Sequence, residues 1–256
     1  MSERLTRPKL TPMLIVLLIT AAACVSEQPP APRAPASPSS AAELTPDLCQ
    51  PSEPDCIGPL APGIHSSANL ITPFTFEVPD GWTKNLDVPG SFNLTSSAFP
   101  AGAIAVIPDW AIVSQRRCTL APEPGLGRSV DDLVTWLTEH PGLITSKPVP
   151  VALGGLEGQM LDVRKDPDWR DTRGKGELGP NHPCSGRVGL FTHQGTIDDP
   201  GYWDIDDSMR MRLLFLDAGD HHVVTVHVET SDRSSFESFV EAATPIVESL
   251  DFGATP

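Results

Sequence analysis

The residues of this chain best suited to chemistry are its cysteines, a histidine trio and one cluster of aromatic and arginine side chains. Cysteines stand at 24, 49, 56, 118 and 184. Cys24 closes an apolar leader and is set apart from the others. Cys49, Cys56, Cys118 and Cys184 form an even set suited to two disulfides, for which three connectivities exist. Cys49 and Cys56 flank a short proline-containing loop, which pairs them and leaves Cys118 with Cys184. A four-cysteine zinc site would show closely spaced cysteine pairs on both sides, and this sequence lacks them. His221, His222 and His227 invite a metal. On a strand, His221 and His227 share a face but lie about 20 Å apart at ~3.3 Å per residue, too far to ligate one ion. His222 and His227 point to opposite faces, so the three are read as exposed or turn histidines. Asp166, Asp168 and Asp171 suggest a calcium loop, but Arg170 stands where a ligand should and no glycine falls at the sixth position. No metal and no cofactor is assigned.

Tyr202 and Trp203 lie in an acidic stretch with Asp198, Asp199, Asp204, Asp206 and Asp207, followed by Arg210 and Arg212. Aromatic anchors beside guanidinium groups make a polar recognition edge, and these four residues are the candidate binding residues. The plainer reading is a surface loop whose aspartates pair with the arginines. No catalytic motif accompanies them. A G-x-S-x-G elbow, an S-x-x-K, an H-E-x-x-H, a C-x-x-C and a Walker loop are all missing. Gly154-Gly155-Leu156-Glu157-Gly158 lacks the Lys-Ser/Thr pair and the following helix of a phosphate loop, and reads as a hairpin turn. The net charge is −15. Binding phosphate backbones needs a concentrated positive face, so a balance this acidic argues against nucleic acid.

The elements that must position these residues are mostly strands. Phe74 to Val78, Phe92 to Thr95, Ile104 to Ile107 and Ala111 to Val113 have strand character, as do Val149 to Leu153, Gln159 to Val163 and Gly186 to Thr192. Met209 to Leu216 places Arg210 and Arg212 on one face, and Met211, Leu213 and Phe215 on the other. After the Ala218-Gly219-Asp220 turn, Val224, Val226 and Val228 share a face, so these two strands form a hairpin. Trp82, directly after the Pro79-Asp80-Gly81 turn, reads as a core anchor. Two helices are expected. The first starts at a Ser129 cap, with Val130, Leu133, Val134 and Leu137 in one apolar stripe. The second runs from Phe236 to Leu250, with a Ser234–Glu237 capping box and a kink or restart at Pro245.

Residues 1–23 read as a signal peptide, with Arg4, Arg7 and Lys9 before an apolar run too short to span a bilayer. Residues 24–59 form a Pro/Ala/Ser-rich linker suited to an extended or disordered spacer. Residues 60–256 form a single α+β domain, an antiparallel sheet covered by two main helices. Ala21-Ala22-Ala23-Cys24 resembles the lipobox of bacterial lipoproteins, which implies a diacylglyceryl group on the Cys24 thiol and cleavage before it. Phe76-Glu77-Val78-Pro79-Asp80-Gly81-Trp82, the strand–helix order and the closing Phe239–Phe252 segment resemble the PsbP/Mog1-like domain of LpqN-type actinobacterial lipoproteins. That resemblance implies an architecture and an envelope setting rather than a reaction. The sequence therefore leads us to expect a lipid-anchored, non-enzymatic binding or interaction module on the outer face of the cell membrane. Its expected partners are the membrane, through Cys24, and an envelope protein or small ligand not identified by the sequence. The alternative is an envelope hydrolase with a site assembled from scattered residues.

Overall fold

In the computed structural model the described residues are 48–67, 69–70, 72–113, 122–169, 186–192 and 202–253. Cys24, Cys118 and Cys184 lie outside them, as do the leader and most of the linker. In chain order the strands begin with β1 (Gly58–Pro59), β2 (Gly63–Ser67), β3 (Phe74–Val78) and β4 (Trp82–Val88). β5 (Ser91–Ser96), β6 (Phe99–Pro108) and β7 (Ala111–Ile112) precede helix α1 (Val130–Glu139). β8 (Leu143–Thr145), β9 (Val149–Leu153), β10 (Leu156–Lys165) and β11 (Val188–Thr192) come next. β12 (Tyr202–Ile205), β13 (Arg210–Gly219), β14 (His222–Thr230) and helix α2 (Phe236–Glu248) complete the order.

A nine-stranded sheet forms the middle of the fold, in the order β1-β4-β5-β6-β14-β13-β10-β8, with β9 also pairing β10. Its strand pairs are all antiparallel. Alternation along β13 and β14 sends residues to two cores. Leu214, Leu216, Val224, Val226 and Val228 pack with α2 and with the separate β2–β3 pair. Met211, Leu213, Phe215 and Val223 pack with α1 and with the small β12-β11-β7 sheet. The expected α+β class, antiparallel with two helices, is the one observed. The cover is shared, however: each helix closes its face together with a short sheet.

Local chemistry accounts for most boundaries. Ser129 Oγ accepts from Asp132 N at 3.2 Å and the Asp132 carboxylate accepts from Ser129 N at 3.1 Å, a reciprocal cap on α1. The expected Ser234–Glu237 box does not form. Asp232 instead accepts from Ser234 N at 3.0 Å, capping a 3₁₀ turn (Arg233–Ser235) that feeds α2. α2 then runs through Pro245 without a restart. Pro245 is exposed, so its missing N–H leaves an acceptor on the solvated side of the helix, where water can serve it. Gly154 and Gly155 take φ of 57° and 84°, as a two-residue hairpin between β9 and β10 requires.

Two further expectations are corrected. Tyr202–Ile205, read as loop, is a strand: Trp203 and Ile205 pack into the core from one side of β12, and its ladder to β11 satisfies the backbone. Folded structure also begins before Leu60. Cys49 is bonded to Cys56 and is buried, and its N–H donates to Pro59 O at 2.8 Å. The loop between the two cysteines presents Pro54 O to the ammonium of Lys84, a buried lysine that also meets Asp87 at 3.4 Å. A cationic group taken out of water needs such acceptors, and they bind the N-terminal end of the described chain to β4.

Candidate binding pocket under helix α2

β10 and β13 pair so that Asp162 faces Arg212 directly. Arg212 Nε donates to Asp162 Oδ1 at 2.7 Å and Nη2 donates to Oδ2 at 3.0 Å, a bidentate fork with both side chains about a quarter exposed. That hydrogen bonding holds the guanidinium pKa above its already high ordinary value. Next to the fork a cavity of about 290 Å³ opens between α2 and the β9–β10–β13–β14 part of the sheet. Its walls are mainly apolar, with Val151, Leu153, Met160 and Leu214 from the sheet and Val240 and Val247 from the helix. Polar groups are few: Arg212, Thr244 and Glu248. The Thr244 hydroxyl donates to Val240 O at 2.7 Å, so it is committed to the helix. Few polar groups in an apolar hollow is the pattern of a small-ligand site. No Ser, Cys or His lines it.

Arg210 is also on this face. Its guanidinium lies 4.3 Å from the Phe236 ring centroid and its Nη1 is 3.2 Å from Glu237 Oε1. Tyr202 and Trp203 are not. β12 belongs to the small sheet on the opposite side, where Trp203 meets Trp110 and His227 edge-on at 5.8 and 5.3 Å. The Trp203 indole N–H donates to Glu229 Oε2 at 2.5 Å. Tyr202 pairs with Thr192 of β11. The four candidate residues are therefore divided by the central sheet: Arg210 and Arg212 beside the pocket, Tyr202 and Trp203 in the other layer.

The histidine reading divides in a similar way. His221 and His222 are exposed, with His222 Nδ1 2.9 Å from the Asp109 carboxylate. His227 is fully buried, contrary to expectation, and neither ring nitrogen has a hydrogen-bond partner. Burial alone pushes its pKa down to about 3, so the ring is neutral. Glu229, two residues on, is pushed up to about 7 by burial; the Trp203 hydrogen bond opposes this and the Asp204 charge adds to it. Among the described residues no group of three His, Cys, Asp or Glu converges as a metal site would, and no helix is long and apolar enough to cross a membrane. Asp162, Met160 and the helix valines were missed by sequence reasoning. The alternation of Met160 and Asp162 around buried Leu161 was their available signal, but the register against β13 was not readable.

No protein-family model matches the chain, and no curated protein matches it significantly. Among solved structures it is similar to cyanobacterial PsbP (CyanoP) from Synechocystis sp. PCC 6803, with 12% identity and a TM-score of 0.37 over 76% of this chain and 95% of that one. It is also similar to a protein from Bacteroides thetaiotaomicron, with 12% identity and a TM-score of 0.31, covering 70% of this chain and 44% of the other.

Proposed function

We propose that this chain is an extracytoplasmic binding module, tethered through a lipidated Cys24 and a proline-rich spacer, that takes a small apolar ligand in the pocket under α2. The observation that carries the binding part is the cavity itself: about 290 Å³, mainly apolar, with one oriented guanidinium at its wall. The wall carries no Ser, Cys or His, its one hydroxyl (Thr244) donates into the helix, and Glu248 stands there as its single carboxylate, which favours binding over hydrolysis. The tether rests on the leader and the lipobox-like Ala21-Ala22-Ala23-Cys24, and the PsbP/Mog1-like assignment rests on the Phe76–Trp82 segment and the element order.

Two measurements test the two halves. Titration with the neutral dye Nile red gives saturable fluorescence enhancement, and Val151→Trp, which fills the cavity from β9, abolishes it while the melting temperature is kept. Unsaturable enhancement, or enhancement indifferent to the tryptophan, removes the pocket. Mass spectrometry of membrane-extracted protein shows a diacylglyceryl Cys24 at the mature N-terminus. A soluble product that begins at or beyond residue 24 without lipid removes the tether.

A further inference from the structure

Beside the pocket, three arginines share one end of the α2 face. The β10–β13 register sets Arg164 directly opposite Arg210, and Arg212 is the next residue of β13 on that face. Leu161 and Val163 of β10, and Met211 and Leu213 of β13, are buried in the opposite core, so Arg164, Arg210 and Arg212 all project to the α2 side. Directly opposed residues have Cβ atoms only ~4.5–5.5 Å apart, and like charges there are destabilising. The countercharge is incomplete. Asp162 occupies two donors of Arg212, and Glu237, itself largely exposed, meets Arg210. Arg164 is partly buried, and its side chain has no ion-pair or hydrogen-bond partner among the described residues. The remaining carboxylate of the pocket, Glu248, is eleven residues beyond Glu237 on α2, about 16 Å along the helix at 1.5 Å per residue. In a chain of net charge −15, this corner carries a local excess of positive charge.

We propose that Arg164, Arg210 and Arg212 form an oxyanion site, and that it receives the phosphate group of a ligand whose apolar part enters the adjoining cavity. The oxyanion half stands on the arginines alone; the amphiphilic half rests on the pocket reading above. Guanidinium groups suit this ligand because their fork of N–H donors matches two phosphate oxygens at once. An oxyanion between Arg164 and Arg210 relieves their repulsion, while Arg212 itself lines the cavity. The cavity holds about ten groups of water size at ~30 Å³ each, which sets the scale of the apolar part.

Calorimetric titration of the purified protein with octyl phosphate, 1-octanol and inorganic phosphate separates the halves. Octyl phosphate binds at least tenfold more tightly than octanol, the difference shrinks as salt is raised, and Arg164→Gln removes it while octanol binding, the control for folding, is unchanged. Equal affinities for octyl phosphate and octanol, or a difference that survives Arg164→Gln, overturn the oxyanion site and leave the pocket. Binding of inorganic phosphate that depends on Arg164, with no binding of octanol, upholds the oxyanion site and removes the pocket reading. No binding of either phosphate by the wild-type protein overturns the proposal.

Discussion

On the α2 side of the central sheet, β13 and β14 present valines, leucines and two arginines, and a hollow of about 290 Å³ remains beside the helix. On the opposite side the same strands present Phe215, His227 and Glu229, and the rings of Trp110, Phe191 and Trp203 close over them. Geometry explains the difference. A helix with side chains is ~10–12 Å wide, whereas strands ~4.8 Å apart make a nine-stranded sheet several times wider. α2 cannot reach the β9–β10 edge, and a pocket stays there. On the other face, the β12-β11-β7 sheet interdigitates its aromatic side chains with β13 and β14, so the part of that face under the small sheet is filled. What a sheet is covered with, more than its own residues, decides whether that face can receive a ligand.

The comparison breaks most sharply at Phe239. This fully buried ring packs against Phe99 and Trp82 at 5.5 and 6.2 Å and lies on Gly102, where a Cβ would come within 2.7 Å of it. Phe239→Ala is expected to cost about 3–5 kcal/mol in urea unfolding and to abolish the pocket, because α2 loses its anchor. A loss below ~1 kcal/mol would show that α2 does not depend on this contact.

Acid–base behaviour sharpens the other face. Glu229 is raised from 4.5 to about 7 in the folded state, so its contribution is fully present below pH 4.5 and is lost as pH rises through 7. His227 is lowered from 6.5 to about 3, so its contribution is present above pH 6.5 and is lost as pH falls toward 3. Between about pH 4.5 and 6.5 the slopes oppose each other, and wild-type stability is nearly flat. Glu229→Gln leaves stability rising with pH there, and His227→Phe leaves it falling, each by at most ~1.4 kcal/mol per unit. Denaturation midpoints at pH 4.5, 5.5 and 6.5 check this; parallel profiles for both variants would sink it.

Smaller effects follow on each side. Asp162→Ala leaves a partly buried guanidinium without its fork and is expected to cost about 1–2 kcal/mol in chemical denaturation. The double variant with Arg212→Met should regain most of that loss, and failure to do so would mean that the pair is not the origin. Ser129→Ala removes the α1 cap, for about 1 kcal/mol, and leaves Nile red binding unchanged.

Alternating patterns made much of this architecture legible. The two faces of β13, the valine row of β14, the α1 stripe and the 154–155 hairpin all follow from side-chain period and turn chemistry. Pairing across strands did not. Arg164 and Asp162 gain their meaning from residues about 50 positions away, and nothing local in β10 specifies that register. Trp203 was misplaced because a four-residue strand flanked by aspartates carries too little apolar alternation to outweigh an acidic loop. His227 was taken for a surface residue because an imidazole gives no sequence sign of being buried as a neutral ring.

The Cys49–Cys56 ring also has a mechanical meaning. Tension applied at Leu48 enters the fold at Cys49, whose backbone bonds to Pro59 and Ala61 would be the first to tear. The disulfide provides a covalent route around them, from Cys49 to Cys56 and into the β1–β4 ladder. If the spacer does connect this domain to a membrane, a drag on the domain would be transmitted through sulfur, and a reduced protein would begin to peel at its N-terminal end under a force that the oxidised one withstands.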